Sequence, residues 1–217
     1  MSGFVAQAQD RIALRQIELL AAGGDSATPI VIALHGLGDT PDAFGAFIAP
    51  LVPGTRLLAL QAPIARQERG YSWYRIGTPY ASKDITSAAH AVGSTLRALR
   101  KQYPAAGKPI LIGYSQGAVI SLRVATLFPD MLRCVVGIAG YIDASLTLRQ
   151  SPAKTRPDIL IVHGQKDTVV PYRHGTEARR IMSRAGYATQ LITHPKGHRI
   201  PSATLQDIQY WLHDRLR

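Results

Sequence analysis

Short apolar runs alternate with amphipathic stretches along the chain. The runs Ile30–Leu34, Leu57–Leu60, Ile110–Tyr114, Cys134–Ala139, Ile159–His163 and Gln190–Thr193 are short, apolar and rich in Ile, Leu or Val. Strands covered on both faces read this way. Arg11–Leu20 is a weaker candidate, expected at a sheet edge. Between the runs lie helical patterns. Lys83–Tyr103 carries Ile85, Ala88, Ala89, Val92, Leu96 and Leu99 at helical spacing, which makes one apolar stripe. His90, Ser94, Arg97 and Lys101 fall on its solvated side. Gln116–Phe128, Tyr172–Ala185 and Ser202–Leu216 repeat the pattern, and Pro104, Pro129 and Gly186 stand near helix ends as stops. Strands alternating with helices predict an α/β fold, with a mostly parallel central sheet and helices on both faces. The 217 residues suit a single domain.

Two segments break the alternation. Gln61–Ser82 is a polar and aromatic connection with Pro63, Gly70, Trp73, Gly77 and Pro79, and Gly140–Pro157 is a second irregular stretch. Both leave the carboxyl ends of predicted strands, where open α/β sheets place their ligands. The second is too short for a large separate lid domain, which predicts an open site.

Charge and cysteine content narrow the surroundings. The formal net charge is +11, but the basic residues are scattered and no run interleaves them with aromatics. That argues against nucleic acid and leaves weak association with anionic lipid open. Cys134 is the sole cysteine, so no intramolecular disulfide forms, and its apolar surroundings predict a buried core residue. Asp10, Arg11, Arg15 and Glu18 interrupt the first twenty residues. No secretory signal and no bilayer-spanning stretch is expected, and a cytoplasmic location is the default.

The candidate chemistry begins at Gly113-Tyr114-Ser115-Gln116-Gly117, a G-x-S-x-G match between a predicted buried strand and a predicted helix. A serine hydroxyl needs exposure to substrate and to a base. A sharp strand-to-helix turn supplies both, and glycines on either side let strand and helix approach. Ser115 is the expected nucleophile. The acid and the histidine follow in chain order. Asp167 lies in the loop directly after Ile159–His163, at the sheet's carboxyl edge, whereas Asp158 precedes that strand. His198 follows the last strand behind Gly197 and is the expected base, with His194 the alternative. His163, His174 and His213 read as structural, helix-start and surface residues. A histidine base predicts that activity falls as the pH drops through the imidazole range. For the oxyanion, the expected donors are the N–H of Gln116 and that of Leu37, in the glycine-containing loop after Ile30–Leu34.

His35-Gly36-Leu37-Gly38-Asp39, Gln61-Ala62-Pro63, Gly113-Tyr114-Ser115-Gln116-Gly117-Ala118, Gly140-Tyr141, His163-Gly164 with Asp167 and Val170-Pro171, and Gly197-His198 occur in this order. As a set they resemble the carboxylesterase/phospholipase family of α/β-hydrolases, which includes acyl-protein thioesterases and lysophospholipases. The resemblance spans roughly residues 30 to 200. It implies Ser115, Asp167 and His198 as a triad, Leu37 and Gln116 as oxyanion donors, and Trp73, Tyr141 and Val170 near the substrate. It also implies hydrolysis of a small-molecule acyl ester or thioester; the open site predicts acyl chains of short to medium length, and monomer or homodimer are both left open. Neither cofactor nor metal is expected. An amidase or peptidase on the same triad, and a binding module that kept the fold, are the other readings. The chain departs from the family pattern at Tyr114, where many members have Phe, and at Trp73-Tyr74-Arg75, where many read Trp-Phe-Asp. An arginine near the mouth predicts a changed preference for substrate charge.

Overall fold

The computed structural model describes residues 14–20, 25–143 and 155–216. Parts of two predicted segments, residues 11–13 of the edge strand and 144–154 of the second irregular stretch, lie outside the described residues. The elements run β1 (Gln16–Leu20), β2 (Ile30–Leu34), α1 (Pro41–Ile48), β3 (Arg56–Leu60), β4 (Ile64–Ala65), β5 (Tyr71–Ser72) and α2 (Ala81–Gln102). They continue with β6 (Ile110–Tyr114), α3 (Gln116–Leu127), β7 (Cys134–Ile138), β8 (Asp158–Gly164), α4 (Arg173–Arg184), β9 (Thr189–His194) and α5 (Ser202–Leu216). Every strand and helix predicted from the pattern is present, with ends shifted by one or two residues and β1 starting later, at Gln16.

Seven strands form one sheet in the order β1-β3-β2-β6-β7-β8-β9. All neighbours are parallel except β1, which runs antiparallel to β3 at the edge. The continuous apolar runs divide residue by residue between two cores, because successive side chains on a strand face opposite sides. Ile32 and Leu34 of β2 pack with α2 and α3, on the side that holds Val92, Leu96 and Ile120. Val31 and Ala33 pack on the other side, with Phe44 and Ile48 of α1 and Ile208 and Leu212 of α5. Burying each such Ile or Leu contributes about 1.5–3 kcal/mol.

The chain order reverses between β2 and β6: from β2 it turns outward to β3, then returns to lay β6 on the opposite flank. At such a switch point the loops leaving two adjacent parallel strands diverge and open a crevice at their carboxyl ends. The loop after β2 carries Leu37, and the turn after β6 carries Ser115. The sheet topology therefore brings the predicted oxyanion loop and the predicted nucleophile to one place.

Helix α1 and the small β4–β5 hairpin were not expected from the pattern. The helix is eight residues long, with Phe44 and Ile48 one turn apart and buried. Thr40 caps it by accepting the Ala43 N–H at 3.3 Å, and Pro41 opens it. Among the described residues no helix is long and apolar enough to cross a membrane.

Candidate active site

Ser115 sits at the turn between β6 and α3 with φ 52° and ψ −115°, in the left-handed half of backbone space. Non-glycine residues rarely adopt such angles, and the surrounding structure must hold them there. The Ser115 N–H donates to the Ile138 carbonyl at 2.8 Å, which anchors the turn to β7. Close approach explains the motif glycines. A Cβ on Gly117 would lie 2.0 Å from the Leu34 carbonyl oxygen, and one on Gly113 would lie 2.3 Å from the Gly117 carbonyl oxygen. Either methyl would force β2, β6 and α3 apart.

Asp167 is held by the loop after β8. Its Oδ1 accepts the N–H groups of Val169 and Val170, each at 2.9 Å. Its Oδ2 lies 2.7 Å from His198 Nδ1, and His198 Nε2 lies 3.1 Å from the Ser115 hydroxyl oxygen. Since a carboxylate only accepts, Nδ1 carries the imidazole proton and Nε2 is free to accept from the serine. Burial pushes the Asp167 carboxyl up, but its bonds to His198 and to the two amides outweigh that and hold it below the usual carboxylate range. It stays ionised and can stabilise an imidazolium. The Tyr114 hydroxyl donates to the His198 carbonyl at 3.2 Å, and the two rings lie 5.2 Å apart. The tyrosine that departs from the family pattern thus braces the histidine.

Leu37, Ser115, Gln116, Tyr141, Val170 and His198 all line one cleft of about 430 Å³. Tyr74, Ile76 and Val169 add mostly apolar wall. The N–H groups of Leu37 and Gln116 form none of the hydrogen bonds among the described residues, which leaves both donors available to an oxyanion. Trp73 is corrected. Its side chain is fully buried and lies beneath the site rather than in the cleft, because its indole N–H donates to the His35 carbonyl at 2.8 Å. Arg75 is half-exposed beside the cleft, where its guanidinium pairs with both oxygens of Asp84 at 2.8 Å and covers the Tyr80 ring.

Two supporting side chains were missed from the sequence. The buried Gln116 amide oxygen accepts the Trp73 N–H at 2.9 Å, and its amide nitrogen donates to the Tyr74 carbonyl at 3.0 Å. This clasp ties the long loop before α2 to the residue directly after Ser115. His35 bonds the Gly36 carbonyl through Nδ1 at 2.7 Å and accepts the Ala62 N–H at Nε2 at 3.2 Å. It is a neutral strut under the Leu37 loop. Only the motif position of each residue hinted at these roles.

His35, His163 and His194 are buried, and burial pushes each below the ordinary imidazole range. His163 donates from Nε2 to the Val170 carbonyl at 2.8 Å, while its Nδ1 and that of His194 are buried without a partner. Protonating those nitrogens would bury an N–H with no acceptor. An unfolded chain takes up these protons near about pH 6.5. The folded chain resists until lower pH, so this stability is present above the unfolded value and is lost as the pH falls. The urea midpoint is expected to drop between pH 7 and pH 5. A midpoint that holds steady or rises over that interval would contradict the assignment.

Among the described residues no group of three or more His, Cys, Asp or Glu side chains is placed to hold a metal ion. A family model described as phospholipase/carboxylesterase matches residues 16–215. Esterase YpfH of Escherichia coli is 28% identical over 189 residues, which cover 83% of this chain and 80% of that protein. Acyl-protein thioesterase 1 of Yarrowia lipolytica is 30% identical over 172 residues, 70% of this chain and 75% of that protein. The crystal structure of esterase PE8 superposes with a TM-score of 0.81 at 26% identity, covering 93% of this chain and 98% of that one.

Proposed function

The chain belongs to the phospholipase/carboxylesterase family of α/β-hydrolases, and we propose that it hydrolyses carboxylic esters or thioesters of short to medium acyl chains through an acyl-enzyme on Ser115. The observation that carries this reading is the continuous chain from Asp167 through His198 to Ser115, with contacts of 2.7 and 3.1 Å at the wall of an apolar cleft. Ser115 Oγ bonds to the acyl carbon as its proton passes to His198 Nε2. The leaving oxygen or sulfur takes that proton as its bond to carbon breaks. Water then repeats the sequence and releases the acid. Leu37 and Gln116 donate to the oxyanion in both halves.

The cleft volume lies within the range of small-ligand sites, which favours short or medium acyl chains. The sole cysteine supports a cytoplasmic setting. A specificity series tests the substrate reading: kcat/KM for p-nitrophenyl esters of increasing chain length, an acyl thioester, a lysophospholipid and a matched anilide. Turnover is expected to peak at short to medium chains, to include the thioester, and to be at least a hundredfold slower on the anilide (~3 kcal/mol of barrier). A faster anilide, or a preference for the lysophospholipid over every simple ester, would overturn it.

A further inference from the structure

A second cleft, of about 330 Å³, lies beside the first and shares Asp39 and Tyr114 with it. Phe44 and Phe47 of α1, Arg199 and Ile200 complete its wall. Three rings step across it toward the base. Phe47 stacks on Phe44 and Phe44 on Tyr114, each pair with centroids 6.2 Å apart and planes within 26°, and Tyr114 then meets the His198 ring. Phe47 leaves 43% of its surface exposed, while Phe44 beside it is buried and Tyr114 is half-buried. An apolar wall of this kind suits the flat or aliphatic body of a ligand.

We propose that this cleft is the leaving-group site, and that it selects leaving groups with an aromatic or alkyl body and an anionic substituent, recognised by Arg199. The proposal rests on the reading of Ser115 as nucleophile and His198 as base. His198 must hand its proton to the departing oxygen, so the leaving group extends along the imidazole side of the serine. Arg199 and Ile200 follow the base directly in the chain, and they line this cleft and not the larger one. Of these two clefts, Tyr74, Ile76 and Tyr141 line the larger and not the smaller, which leaves the larger for the acyl chain.

Charge follows from what is already matched. Arg75, the arginine that the sequence points to, is held by Asp84. Among the described residues Arg199 forms no ion pair, and it is exposed at the cleft. Asp39 is the acidic group on the same wall; its Oδ1 accepts the Thr40 N–H at 2.8 Å, and among the described residues it forms no ion pair with Arg199. The net charge of +11 further favours approach of anions.

The test holds the acyl group fixed and varies the phenol: unsubstituted, carboxylated and trimethylammonium-substituted phenyl butyrates, with ethyl butyrate as the alkyl reference. Because kcat/KM ends at the first irreversible step, it reads loss of the phenol and not deacylation. Dividing each variant's ratios by those of the wild type removes intrinsic reactivity. The carboxylated-to-unsubstituted ratio is expected to fall about three- to fivefold in Arg199→Gln, the size of one exposed charge pair. The phenyl-to-ethyl ratio is expected to fall in Phe47→Ala. An unchanged charge ratio in Arg199→Gln, or a cationic-to-unsubstituted ratio that falls rather than rises in that variant, would overturn the proposal. Hydrolysis of the unsubstituted ester, and its loss in Ser115→Ala, reports on the nucleophile separately, so the two readings fail independently.

Discussion

Ser115→Ala is expected to lower kcat for ester hydrolysis by about 10⁴- to 10⁶-fold while the chain stays folded. In the proposed mechanism the hydroxyl oxygen forms the acyl bond, and no neighbour can replace it. Removing it costs the reaction about 5–8 kcal/mol of barrier lowering. It costs the fold little, because the side chain's hydrogen bond is the one to His198, while the backbone anchor to Ile138 survives. Alanine tolerates the positive φ no worse than serine does. The checks are steady-state kinetics on a p-nitrophenyl ester and an unfolding free energy in urea within about 1 kcal/mol of the wild type. A variant that keeps activity within tenfold would remove Ser115 from the chemistry.

Asp167→Asn should cost about 10⁴ in kcat, with a much smaller change in KM. The asparagine oxygen can still accept the Val169 and Val170 amides, so the loop keeps its shape. Its amide nitrogen then faces His198 Nδ1, where the carboxylate oxygen stood at 2.7 Å. An N–H there demands a bare Nδ1, which moves the imidazole proton to Nε2. The base then presents a donor to Ser115 and cannot take its proton. The missing negative charge also leaves the imidazolium unsupported in a buried setting. Kinetics at neutral pH, paired with circular dichroism, measure this. A loss below tenfold would mean that Asp167 is a turn residue and that another carboxylate orients the base.

These two positions were readable from the chain because their placement depends on local rules. Strand, glycine, serine, glycine and helix in succession dictate the turn at Ser115. Asp167 and His198 each follow a recognisable apolar strand by a few residues, so their distance from the sheet edge is set by the chain itself. The buried strands were legible for the same reason, since Ile110–Ile112 and Ile159–Val162 have no polar face to turn outward. Trp73 was misplaced because an aromatic in an irregular loop can point either way. The acceptor that drew it inward is the His35 carbonyl, 38 residues earlier in the chain. The pairing of Arg75 was not legible because its partner Asp84 lies on the next helix, across a turn that the pattern left undefined. Helix α1 was not legible because its eight residues bury only two large side chains, Phe44 and Ile48, too few to establish a period. Its Thr40-Pro41 start was the available signal.

The clasp of Gln116 on Trp73 and Tyr74 adds a condition that the motif alone does not state. The residue proposed to supply an oxyanion donor through its backbone also fixes the long loop through its side chain. The nucleophile turn, the oxyanion loop and the loop before α2 are thereby joined as one unit by buried hydrogen bonds.

The most direct measurement of the central claim is covalent labelling of the folded protein with a fluorophosphonate, read by intact mass and peptide mapping. One phosphonyl group per chain is predicted, located on Ser115, abolished in Ser115→Ala and strongly slowed in Asp167→Asn. A folded wild-type protein that takes up no label, or that carries it on a residue other than Ser115, would contradict the account.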